Sequence, residues 1–93
     1  MGKRLSEAQI EEQLGTLQGW AREGNGIRKQ YTLGGFADAV AFVTRLAFDA
    51  EAADHHPDIT INFKRVTLTF STHSEGGLTQ KDFDGARQVD SLI

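Results

Sequence analysis

The 93-residue chain has no cysteine, which removes disulfide frameworks, thiolate nucleophiles and cysteine metal sites together. Proline occurs once, at Pro57, so one position carries a strong local stop for a helix. No apolar run approaches the roughly 20 residues that a membrane-spanning helix needs, and no membrane association is expected. Excess positive charge is missing too: the formal net charge is -3, and the pairs Lys3-Arg4 and Lys64-Arg65 are too small to make a basic field for a phosphate backbone. Nucleic acid is therefore not an expected ligand. The N-terminus lacks an apolar leader, although Met1-Gly2-Lys3-Arg4-Leu5-Ser6 formally fits an M-G-x-x-x-S acylation pattern. A cytoplasmic protein is the expectation.

What is present, 39% hydrophobic and 25% charged residues, suits a single globular domain over residues 1–93. In "LSEAQIEEQL" Ser6 and Gln9 have the spacing of a capping box and Leu5 and Ile10 that of a hydrophobic staple, which predicts a helix over 7–14 ended by Gly15. Two short extended runs around Gly24-Asn25-Gly26 read as a hairpin. "GFADAVAFVTRLAFDAEAAD" predicts the long helix, with Phe36, Val40, Val43, Leu46, Ala47 and Ala50 as its inward stripe, stopped by Pro57. Ile59, Ile61 and Phe63, then Val66, Leu68 and Phe70, alternate with polar residues as two strands. A loop of Lys64-Arg65 between them pairs Phe63 with Val66 and sets His56 opposite His73. Thr79 and Asp82 open a last helix with Phe83, Ala86, Val89 and Leu92 or Ile93 inward. The order is α-β-β-α-β-β-α, an α+β domain of two layers, with a four-stranded antiparallel sheet covered by helices on one face.

The chemistry concentrates at one junction. His55, His56 and His73 are the only histidines, and the expected register brings two of them within about 5 Å at Cβ. Neutral imidazole both gives and takes a proton near neutral pH. Glu51, Asp54 and Asp58 supply nearby carboxylates, and Ser71, Thr72 and the Gly76-Gly77 loop supply hydroxyls and backbone donors. The arrangement points to a proton-transfer site for a polar heterocycle. Each residue alone has a plainer use: His55 as a helix-end cation, His73 as a solvated strand residue, Asp82 as a helix cap, Trp20 as a core aromatic. Zinc is a competing use of three imidazoles, but adjacent histidines rarely converge and the His-x3-His helical spacing is missing. No metal is expected.

These residues resemble the pterin-4a-carbinolamine dehydratase family, also known as the dimerisation cofactor of a hepatocyte nuclear factor. The family signature of a charged residue, three residues, His-His-Pro, an aromatic, a further His and a later Asp is matched by Glu51, His55-His56-Pro57, Phe63, His73 and Asp82. Gly19-Trp20, "FVTRLA" at 42–47, "DHHP" at 54–57 and "STH" at 71–73 extend the likeness over nearly the whole chain. The resemblance implies removal of water from a 4a-hydroxytetrahydropterin, as in tetrahydrobiopterin recycling, with no metal or organic cofactor. It places Asp54, His55, His56, Ser71, Thr72 and His73 on the pterin, with Glu51 and Trp20 near it. His55 and His73 would act as general acid and base while His56 binds the ring. It also implies a homodimer or homotetramer. Two alternatives stand beside it: a non-catalytic interaction module, and a pterin role in molybdopterin metabolism.

Overall fold

Ser6 opens the first helix, α1 (Glu7–Leu14), as its spacing implies: Ser6 Oγ accepts from the Gln9 N–H at 3.2 Å and Gln9 Oε1 accepts from the Ser6 N–H at 2.8 Å. The structure, a computed structural model, describes residues 3–93; the acylation pattern's Met1 and Gly2 lie outside the described residues. Strands β1 (Ala21–Glu23) and β2 (Gly26–Thr32) form the expected hairpin. Gly24 turns it at φ 58°, a left-handed conformation that costs glycine nothing. Helix α2 (Phe36–Ala53), strands β3 (Asp58–Asn62) and β4 (Arg65–Phe70), a short 3-10 turn (His73–Glu75) and α3 (Gln80–Asp90) complete the predicted order. The sheet is antiparallel throughout, in the order β1-β2-β4-β3.

The core lies between this sheet and the helices. Val66, Leu68 and Phe70 of β4 and Ile27 and Tyr31 of β2 meet Phe42 and Leu46 of α2 and Phe83, Ala86 and Val89 of α3, all buried. Alternation sends Thr67, Thr69 and Ser71 to the opposite, open face, together with Thr60, which pairs with Thr67. No helix among the described residues is long and apolar enough to cross a membrane.

Two expectations are corrected. Ile61 pairs with Val66 and Asp58 with Thr69, so the β3–β4 loop is Phe63-Lys64, and each β3 residue faces a partner two positions earlier than expected. The cause lies on the other side of β4. There β2 pairs Thr32 with Arg65 and Tyr31 with Val66, and the Leu33 N–H binds the Lys64 carbonyl at 2.8 Å. Arg65 is thus committed to the ladder, and Phe63 takes the left-handed turn conformation, φ 58°, in its place. A shift of two leaves every side chain on its expected face, but it removes the direct opposition of His56 and His73. The second correction concerns α2, which buries Ala39, Phe42 and Leu46, while Phe36 (57% exposed), Val40 (40%) and Ala47 face outward. The helix is apolar around much of its circumference, and the sheet takes only one stripe.

The two sheet edges differ. The β1 edge is three residues long, with Arg22 paired to Glu7 at 2.9 Å and Glu23 to Arg28 at 3.4 Å. The β3 edge carries Ile59, Ile61 and, in its turn, Phe63, all exposed.

At the far end of α3, Asp90 gathers three donors: Trp20 Nε1 at 3.1 Å, Lys29 Nζ at 2.9 Å and the Tyr31 hydroxyl. A carboxylate in a last helical turn opposes the helix dipole, and these donors from the β1–β2 region offset it while clasping α3 to the sheet. Burial, and then the bond to Asp90, raises the Tyr31 phenol above its ordinary 10.0. The stability this confers is complete below the ordinary value. It is lost as pH rises beyond it, because the unfolded phenol ionises while the folded one keeps its proton. Urea unfolding at pH from about 8 to 11 should therefore show stability falling more steeply in the wild type than in Tyr31→Phe. Parallel slopes would remove the clasp's titration.

Candidate active site

The site begins where α2 ends. Asp54 adopts the left-handed conformation, φ 53°, that closes a helix, and the His55 N–H reaches back to the Ala50 carbonyl at 3.1 Å in a Schellman-type bond. Pro57 is buried and prevents further helix. These two residues turn the chain out of α2 and into β3. His55 is left on the helical side of the sheet and His56 is exposed.

His55 is 13% exposed at its side chain, and its Nε2 lies 2.6 Å from Asp82 Oδ1. Asp82 is fully buried. Its second oxygen, Oδ2, accepts from the Thr72 hydroxyl at 2.8 Å and from the Thr79 N–H at 2.9 Å, and the two threonine hydroxyls meet at 2.8 Å. A carboxylate only accepts, so the His55 proton sits on Nε2 and Nδ1 is left as the basic nitrogen. Asp82 is therefore both the cap of α3 and the group that fixes the His55 tautomer. Sequence reading gave it the first role alone; the signal for the second was its place in the family signature.

Thr72 directly precedes His73, so the bond from Asp82 to Thr72 brings the Ser71-Thr72-His73 segment to the His55 junction. His73 is exposed at the start of the 3-10 turn, with Nε2 3.4 Å from Ser71 Oγ. His56 also lies in solvent, 4.0 Å from Glu51 Oε1; both side chains are more than half exposed, and such a pair contributes little. In the observed register His56 falls in line with Ser71, not His73, and the ladder stops before either, at Asp58 and Thr69.

Two cavities open beside the junction. A cleft of about 250 Å³ between α2 and α3 has apolar walls that include Leu46, Ala50, Ala53 and Phe70, and its polar lining is Asp49, His55, Lys81, Asp84 and Gln88. A polar groove of about 350 Å³ runs past Ser71, Thr72 and His73 to Asn25 and Gly77. Trp20 lines neither. Its ring packs on Phe70 at 5.9 Å between centroids, and Phe70 in turn separates it from His55. Among the described residues no group of three or more His, Asp or Glu side chains is disposed to hold a metal ion.

Truncating Asp82 to alanine strands two buried threonine groups and should cost about 3 kcal/mol in urea unfolding. Asp82→Asn is the sharper variant. Its carbonyl can keep both threonine bonds, and its NH2 then faces His55 and drives the ring proton to Nδ1. Nitrogen-15 spectra of the imidazole should show Nε2–H in the wild type and Nδ1–H in Asp82→Asn; the same tautomer in both would show that Asp82 does not set it.

A sequence model of the family described as pterin 4 alpha carbinolamine dehydratase matches residues 3–92. The chain is 58% identical over the full length of both sequences to a Roseiflexus sp. (strain RS-1) protein named "Putative pterin-4-alpha-carbinolamine dehydratase". It is 46% identical to a protein of the same name from Mycobacteroides abscessus, over 96% of this chain and 95% of that one. Its fold is similar to the crystal structure of a transcriptional coactivator/pterin dehydratase from Brucella melitensis, with TM-score 0.93, 34% identity, and 97% and 98% of the two chains covered. A pterin dehydratase-like RuBisCO assembly factor of the alpha-carboxysome shares the fold at TM-score 0.64 and 24% identity, over 78% of this chain and 84% of that one. By the family match and by these relatives, the chain belongs to the pterin-4-alpha-carbinolamine dehydratase family.

Proposed function

We propose that the chain dehydrates 4a-hydroxytetrahydropterins to quinonoid dihydropterins, as in tetrahydrobiopterin recycling. The observation that carries the reading is the Asp82–His55 pair, tied through Thr72 to His73, in a chain of this family. Asp82 holds His55 with one nitrogen basic, and His73 offers a second, solvent-accessible imidazole. One imidazole protonates the 4a-hydroxyl so that it leaves as water, and the other accepts the proton lost from a ring N–H. No covalent intermediate and no oxidant is required. Asp54, His56, Ser71 and Thr72 are assigned to binding the heterocycle, with Glu51 near it. Trp20 contributes from behind Phe70.

The assay uses freshly generated 4a-hydroxytetrahydropterin at mildly alkaline pH, where spontaneous dehydration is slow. The wild type should accelerate water loss, and His55→Ala and His73→Ala should each lower kcat by about 10²-fold or more while remaining folded. No acceleration over buffer would overturn the reading and leave a non-catalytic interaction module as the alternative.

We also propose self-association through the β3 edge, giving a dimer or, with the outward stripe of α2, a tetramer. The exposed Ile59 and Ile61, beside backbone groups that have no strand partner on that side, support it. Sedimentation should give a mass of two or four chains, reduced in Ile61→Lys; a wild-type monomer would exclude the interface.

A further inference from the structure

We infer that Phe70 is the positioning residue for His55, and that Gly85 exists to let it be one; this rests on the dehydratase reading for its catalytic consequence. The His55 ring lies almost parallel to the Phe70 ring, with 18° between planes and 5.9 Å between centroids, an offset stack. The bond to Asp82 fixes one atom of the imidazole, Nε2, but a single bond leaves the ring free to pivot about it. The Phe70 face removes that freedom, so the direction of Nδ1 follows from where Phe70 sits.

Phe70 is itself held on both sides. Trp20 packs behind it at 5.9 Å, and the indole is anchored to Asp90. From α3, Gly85 presents bare backbone: a Cβ there would stand 2.7 Å from Phe70 Cε1 and 2.8 Å from Cζ, closer than real Cβ atoms come. Glycine inside a helix is a poor helix former, and alanine is the best. Position 85 therefore gives up local helix stability, and the three side-chain atoms nearest the missing Cβ all belong to the Phe70 ring. Phe70 and Gly85 also share a wall of the cleft onto which His55 opens.

Gly85→Ala tests this, since it improves helix propensity while pushing the ring. The expected result is a fall in kcat of about a hundredfold with KM little changed, together with altered ring-current shifts of the His55 imidazole protons. Emission of Trp20, the sole tryptophan, should move as well. Phe70→Leu/Gly85→Ala has no ring left to displace, so its kcat should fall no further than that of Phe70→Leu alone, whereas losses that multiply would show that Gly85 acts other than through Phe70 and would overturn the inference. Unchanged kcat and unchanged His55 resonances in folded Gly85→Ala would overturn the inference, as would a raised KM with kcat intact, which would make Gly85 a cleft wall only. Should Gly85→Ala fail to fold, Phe70→Leu takes the same measurements: loss of the His55 ring-current shift with lowered kcat supports the role, and neither change overturns it. Failure of the dehydratase reading is separately visible, because the wild type would then lack turnover while the His55 resonances still report whether Phe70 sets the ring.

Discussion

One buried carboxylate joins the ends of three elements, one of them 27 positions away in sequence. Asp82 accepts from the end of β4 through Thr72, from the start of α3 through Thr79, and from the end of α2 through His55. An unpaired charge at full burial is strongly disfavoured, so its position is tolerable only when all three segments arrive together. The same requirement that makes Asp82 safe to bury therefore brings the functional junction together. Fold and site are not separable here: the cap of a helix is also the group that sets a histidine's tautomer.

The element order was legible because each element carries its own local signal. Ser6 with Gln9, Gly24 with Asn25, and Pro57 act within a few residues, and the structure follows them. What sequence could not supply was information that resides between elements. The β3–β4 loop illustrates this: neither candidate pair of turn residues is favourable, and the choice was made by β2, which claims Arg65 for its own ladder. The α2 stripe failed for a related reason, since a helix with apolar residues on two adjacent stripes does not say which one the sheet covers. Asp82 was legible as a cap from its spacing to Thr79, whereas its bond to His55 depends on a contact across 27 positions. Trp20, expected near the ligand, packs behind Phe70 and gives its indole N–H to Asp90, at the opposite end of α3 from Asp82.

The division of labour among the histidines also looks different once burial is known. His55 is enclosed, oriented and backed by an aromatic ring, the conditions under which an imidazole holds one direction. His56 and His73 lie in solvent, with contacts at the limit of hydrogen-bond or ion-pair range. Preorganisation is thus concentrated in one residue, and of the two exposed imidazoles His73 borders the polar groove.

The unlike edges of the sheet have a consequence for how copies of this chain can add to one another. At β1 the strand is short and its charges are already engaged, whereas β3 leaves an apolar margin uncovered. A sheet with two receptive margins can propagate without end, as fibrils do. A sheet with only one is a half-link, and joining it to its own kind by a two-fold axis consumes the only receptive margin and closes the assembly.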